Sequence, residues 1–223
     1  MNEHGPTLAL RRGQWLHALR DITNATNERS VIGAHLPHGG MGHTASLVDY
    51  TRANAVASCL VLANMNSLPL DWATRLSVGA THLSFFIVKQ LPVLPPSAYL
   101  ESAGCSQDAA WVELVVPRVV ELTYTASDLR GFADDIGYHG PPFAFDALRR
   151  HRLQCELDGI YAHMYGLDRD ELEWILDAPH PGTSFPLLKR NEIDAFGEYR
   201  TERYVLLAYD QLARGQPPNL SNA

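Results

Sequence analysis

The stretch from Asn66 to Pro96, NSLPLDWATRLSVGATHLSFFIVKQLPVLPP, constrains this chain more than any other. Leu68, Leu70, Trp72, Leu76 and Val78 form an apolar stripe around Asp71, Thr74 and Arg75, which predicts a helix. Ser77 to Ala80 interrupts that pattern, and Gly79 can take the positive φ that a short reversal needs. Leu83, Phe85, Phe86, Ile87 and Val88 follow as a short apolar run ending at Lys89. The run predicts a buried strand over Leu83–Val88. Pro92, Pro95 and Pro96 stop it, because proline donates no ladder hydrogen bond.

The flanking segments extend this mixed character. Trp15–Ile22 and Glu28–Leu36 read as strands joined by a loop rich in Asn and Thr, which suggests an antiparallel pair ending at Pro37. A glycine loop, His38 to His43, follows. Ser46–Met65 has helical spacing. Residues 97–108 mark a shift in composition, so the expected division is 1–104 and 105–223. In the second part, helices are expected over Ala109–Tyr124, with a kink or break before Pro117, and over Ser127–Ile136 and Asp146–Tyr165. Gly166 ends the third of these. Asp168 can cap the next helix, with Glu171 reaching back to it. Residues 178–186 form a Pro/Gly loop, Ile193–Ala213 a last helix, and Gly215–Ala223 a disordered tail. The expected fold is therefore α+β: a small, mainly antiparallel sheet with helices, followed by a helical C-terminal half.

Composition limits the class. With 46% hydrophobic and 19% charged residues, the 223-residue chain is an ordinary globular sequence. No apolar run approaches the roughly 20 residues of a membrane helix, so no membrane partner is expected. The N-terminus has no signal-peptide core, and Cys59, Cys105 and Cys155 suit reduced thiols in a cytoplasmic protein. The net charge of −7 is unevenly spread. Residues 1–100 carry 7 basic and 5 acidic side chains, whereas residues 101–223 carry 11 and 20. A face that meets phosphate is expected in the first hundred residues, with the acidic half as scaffold.

Several blocks together resemble one family. They are Asn66–Pro96; LRDITNATNERSVIGAHLP (Leu19–Pro37) with GHTASLV from Gly42; RRHRLQCELDGIYAHMYGLDRDELEWILD; and FGEYRTERYVLLAYDQL. In this order they are similar to the C-terminal target-recognition region of large adenine-specific DNA methyltransferases, the Eco57I-like restriction–modification and phage-defence enzymes. The resemblance covers most of residues 15–213. It implies a type II DNA-modification enzyme that transfers a methyl group from S-adenosylmethionine to an adenine amino group, in some members fused to a restriction endonuclease. It also implies double-stranded DNA and a methyltransferase catalytic domain, on the same or a separate chain, as partners.

The catalytic parts of such an enzyme are not legible in this chain. A glycine-rich cofactor loop is missing, and Gly140-Pro141-Pro142-Phe143 lacks the acid or amide that leads the methyltransferase Pro-Pro motif. Lys89 and Lys189 lie in no nuclease-like acid cluster. The expectation is a recognition part that binds no cofactor and is not an enzyme on its own. The alternative is a structural or assembly module contacting a methyltransferase core.

The candidate DNA contacts are Arg20, Asn24, Thr26, Asn27 and Arg29, then His38 and His43, then Arg75, Thr81 and His82. Arginine pairs with phosphates or guanine edges, and asparagine reads adenine edges. The competing reading is structural: Asn24 and Asn27 make Asx turns, and Arg29 pairs with Glu28. His35, His38 and His43 match no standard zinc spacing, and polar loop histidines near phosphate are the other reading. Tyr199, Arg200 and Arg203 could touch DNA or pair along a helix with Glu198 and Glu202.

Overall fold

The computed structural model describes residues 15–50, 55–77, 81–105, 108–177 and 185–223. The fold is α+β. Strands β1 (Trp15–Arg20), β2 (Gly33–Pro37) and β3 (Ala45–Val48) form a three-stranded sheet in the order β2-β1-β3. Both outer strands run antiparallel to β1, with Leu19 opposite Gly33 and Arg20 opposite Ala45. β2 and β3 are therefore parallel to each other, and residues 38–44 carry the chain from one end of the sheet to the other. The expected antiparallel pair is present, but β2 begins at Gly33 and includes Pro37, so Glu28–Ile32 of the expected strand belong to the loop. β3 replaces the front of the helix expected from Ser46, and α1 is described over Ala55–Met65.

Helix α2 (Leu68–Ser77) is present as expected, with Pro69 in its first turn, but its buried face carries Leu68, Leu70, Asp71, Thr74 and Arg75, and Leu76 of the expected stripe is exposed. Val78, Gly79 and Ala80, the expected reversal, lie outside the described residues, as do residues 178–184 of the Pro/Gly loop. The strand expected at Leu83–Val88 is instead a single helical turn, α3 (Phe85–Val88). Leu83 alone is deeply buried, whereas Phe85 and Phe86 are 73% and 76% exposed. A short apolar run carries no periodicity of its own, and here its neighbours close a turn through Val88 N–H to Ser84 O and Lys89 N–H to Phe85 O.

The second half is helical: α4 (Trp111–Thr123), α5 (Arg130–Asp135), α6 (Ala147–Met164), α7 (Arg169–Asp177), α8 (Pro186–Phe196) and α9 (Arg200–Ala213). α4 runs through Pro117 without a break, and the Arg118 guanidinium takes the Leu114 carbonyl. Asp146 caps α6, and Gly166 follows it at φ 70°. The capping box forms as expected: Glu171 N–H donates to Asp168, and Asp168 N–H to Glu171, at 2.8 and 2.9 Å. The single last helix expected from Ile193 is split into α8 and α9 by Gly197, which adopts φ 78°.

The C-terminal segment is packed, not disordered. Leu220 is fully buried beside Tyr204, Val205 and Ala208 of α9. Glu156 on α6 accepts the Leu220 N–H at 2.8 Å and pairs with Arg118 at 2.7 Å, while Arg118 also holds the Pro218 carbonyl. Composition alone gave no sign of these partners, which lie 64 to 100 residues away.

Three apolar clusters support these elements. One joins α1, α4 and α6 around Tyr99, Phe132 and Tyr161. A second joins α2, α6, α7 and α9 around Leu68, Leu172 and Leu176. The third lies beneath the sheet: Leu19, Val31, Met65, Leu70 and Leu83, with Ile87, Val88 and Leu91 of the α3 segment packed against it. The first two draw on residues from both sides of position 104.

Candidate nucleic-acid interface

The end of the sheet where β1 finishes gathers several loops. Asp21 N–H donates to Thr44 O, and Leu83 N–H donates to Asp21 O. Thr23 N–H donates to Thr81 O, and Ile22 bridges to His82. The segments 20–29, 42–44 and 81–84 therefore meet at one edge. Arg20, Asn24, Thr26, His43, Thr81 and His82 are exposed there, and Asn27 is half-buried. His82 Nδ1 lies 2.8 Å from the Asp21 carboxylate. His38 does not join them. It follows Pro37, which pairs with Trp15 at the opposite end of the sheet.

The loop between β1 and β2 is shaped from behind. Asp71 on α2 is fully buried, and its carboxylate accepts the Ser30 and Val31 N–H groups at 2.8 and 3.0 Å. One turn on, Arg75 pairs with Asp71 at 3.2 Å and donates to the Ala25, Asn27 and Glu28 carbonyls at 2.7 to 2.9 Å. The helix thus reads the loop backbone with one acid and one base. Burial lowers the Arg75 pKa, and the Asp71 charge opposes that shift. Within the loop, the Asn24 side chain accepts the Thr26 N–H at 2.9 Å, an Asx turn.

Arg29 points inward. Its guanidinium donates to the Asn66 carbonyl at 2.9 Å and to Asp158 of α6 at 3.0 Å, and the Arg29 side chain is 22% exposed. Burial works against that charge, but Asp158, with Asp71 behind it, outweighs burial and raises the Arg29 pKa. Asp158 also accepts the Leu68 N–H at 2.7 Å, satisfying a donor at the start of α2 that has no partner within the helix. Arg29 and Arg75, expected as DNA contacts, thus bind protein groups: a carboxylate and a carbonyl for Arg29, a carboxylate and three carbonyls for Arg75. Arg29 pairs with Asp158, not with Glu28 as the structural reading expected.

Asn66, Asp71 and Asp158 were not singled out by the sequence, although they set the geometry. The Asp71–Arg75 spacing of four residues is a legible signal. Asp158 gives none, because its partner Arg29 lies 129 residues away.

Elsewhere the other candidates have structural partners. Phe143 of the Gly-Pro-Pro-Phe segment stacks on Tyr138 at 5.0 Å, and its N–H donates to Tyr124 O. Arg200 and Arg203 both pair with Glu198, and the buried Tyr199 donates to Leu176 O. His17 and His35 face each other across β1 and β2, both buried, with Tyr50 on the first and Ser58 on the second. Among the described residues no group of three or more His, Cys, Asp or Glu could hold a metal ion. Among the same residues no helix is long and apolar enough to cross a membrane.

A cleft of about 560 Å³ opens between the outer edge of β2 and helices α1, α4 and α6. Leu62, Val119 and Leu157 form part of its lining, and Arg29, Arg150 and Asp158 are among its polar residues. No protein-family model matches the chain, and neither a curated protein nor a solved structure does.

Proposed function

We propose that this chain is the DNA target-recognition part of an adenine-specific DNA methyltransferase or restriction–modification enzyme. A catalytic domain, on the same or a separate chain, would bind S-adenosylmethionine and hold the flipped adenine. The observation that carries this reading is the convergence of exposed Arg20, Thr26, His43, Thr81 and His82 at one sheet edge, where the β1–β2 loop is fixed from behind by Asp71 and Arg75. Donors held on a rigid frame suit a mixture of phosphate and base-edge contacts. Asp158, the second-half carboxylate that meets this loop, is already engaged by Arg29.

The test is anisotropy of labelled duplex DNA at two salt concentrations. Binding that weakens as salt rises is expected. Equal signals with and without protein at low salt would overturn the reading.

The cleft beside β2 favours a second reading, an assembly module that contacts a methyltransferase core. The walls are largely apolar, and β2 residues from Gly33 to Pro37 line one side. Under that reading, Ala126→Trp at the exposed rim would block association with the catalytic domain and leave DNA affinity unchanged.

A further inference from the structure

Two phenylalanines stand in solvent on a turn that is held at both ends. Leu83, just before α3, is 3% exposed, and its N–H donates to Asp21 O at 2.7 Å. Ile87, Val88 and Leu91, just after, pack on the cluster of Leu19, Val31, Met65 and Leu70. Anchored on both sides, the turn projects Phe85 and Phe86 outward at 73% and 76% exposure. Single exposed apolar residues are ordinary, but adjacent large aromatics on a fixed backbone mark a contact surface. Ile22, which bridges to His82, is 52% exposed at the same end of the sheet.

The chemistry around the rings selects the partner. The Lys89 ammonium lies 4.2 Å from the centre of the Phe85 ring. From Trp72 to Leu100 the sequence holds no Asp or Glu, in a chain of net charge −7. An aromatic pair with a cation on it and no carboxylate in its segment is suited to bases flanked by phosphates. A second copy of the chain fits poorly, since a two-fold contact would bring Lys89 towards its own equivalent.

We propose that Phe85 and Phe86 form an aromatic wedge that enters duplex DNA and stacks on bases of an opened step, with Lys89 beside the phosphates. The proposal rests on the DNA-recognition reading above and names the part of the surface that distorts the duplex.

The test uses the full chain and mixed-sequence duplexes carrying 2-aminopurine, whose fluorescence rises when its neighbours unstack. Wild type is expected to raise that signal on binding. Phe85→Ala/Phe86→Ala should lose the rise and bind about 5- to 150-fold more weakly, the range for losing stacking on one base. Phe86→Trp should keep both properties. All three proteins should share one urea midpoint, because neither ring is buried. DNA binding by wild type without a fluorescence rise, or by the double alanine variant with undiminished affinity, overturns the wedge and leaves the DNA reading standing. If wild type binds no duplex, both fall. A wild-type dimer that the double variant converts to monomer, with DNA affinity unchanged, would instead make this patch a contact between copies and overturn the wedge.

Discussion

The Asn66 carboxamide faces Gly33 as a neighbouring strand would: Gly33 N–H donates to Asn66 Oδ1 at 2.7 Å, and Asn66 Nδ2 donates to Gly33 O at 3.0 Å. β2 is an edge strand, and these are groups that point away from β1. One side chain thereby closes part of the open edge and joins α1 and α2 to the sheet. Asn66→Ala should cost about 1–3 kcal/mol, the range for stranding half-buried backbone groups, read as a lower urea midpoint. An unchanged midpoint would mean that water replaces the amide without loss.

Asp71 and Arg75 act as a unit. Asp71→Ala leaves Ser30 and Val31 without an acceptor and Arg75 without its counter-charge, so a loss of about 3–5 kcal/mol is expected. The double variant Asp71→Ala/Arg75→Met should be less destabilised than the sum of the two single changes. Additive losses in a double-mutant cycle would show the two side chains to be independent.

Arg20 and Arg29 should separate binding from stability. Arg20 is exposed at the end of β1, and Arg20→Ala should change stability by less than about 0.5 kcal/mol. The same change should lower DNA affinity and reduce the salt slope by about 1, as for one lost phosphate contact. Arg29→Ala strips the buried Asp158 of its cation, so its main effect should be a lower unfolding midpoint. The opposite pattern, Arg20 silent for DNA and Arg29 silent for stability, would place the DNA face elsewhere.

Two buried imidazoles predict an acid-sensitive sheet. Burial lowers the His17 pKa from 6.5 to about 4, and burial together with the His17 charge lowers that of His35 to about 3. Both are neutral in the fold, whereas the unfolded chain takes up protons as pH falls through 6.5. Their stabilising effect is full above pH 6.5 and is lost as pH drops towards about 4 for His17 and about 3 for His35. By pH ~5 the pair should have cost roughly 2–4 kcal/mol, at about 1.4 kcal/mol per unit per group. Urea midpoints measured between pH ~7.5 and ~5 check this, and His17→Phe/His35→Gln should flatten the slope.

Leu220 fastens the last residues of the chain. Leu220→Ala should cost about 2–5 kcal/mol, because the side chain is fully buried against α9. Equal thermal midpoints for the two proteins would show the segment to be an ornament on an already stable core.

The legible features were those decided within one turn or one strand pair. Asp168 and Glu171 declare a helix start because both partners lie three residues apart, and Gly166 declares an end because it can take a positive φ without cost. Trp15–Ile22 and Glu28–Leu36 flank a short polar loop, so their pairing could be read, although only Gly33 onward of the second segment is strand. Leu83–Val88 could not: its apolar letters suit a strand, but only Leu83 enters the core, and α3 turns Phe85 and Phe86 away from it. Gly197 interrupts what reads as one helical pattern, and its φ of 78° is visible only in the fold. At the candidate interface, Arg20, His43, Thr81 and His82 were found from residue type and loop position. The inward turn of Arg29 depends on Asp158, which no local pattern connects to it.

The pairing of Arg29 with Asp158 has a consequence for how the chain acquires its shape. The partners are 129 residues apart, so this ion pair on the β1–β2 loop cannot form during synthesis until α6 has left the ribosome. A polypeptide stopped at residue 104 would contain every strand of the sheet and the whole of α2, yet Arg29 would keep only the Asn66 carbonyl and the Leu68 N–H would lack its acceptor. The loop that faces outward and the helices that follow it should therefore exchange their amide protons as one cooperative unit, with the loop's protection lost wherever α6 opens.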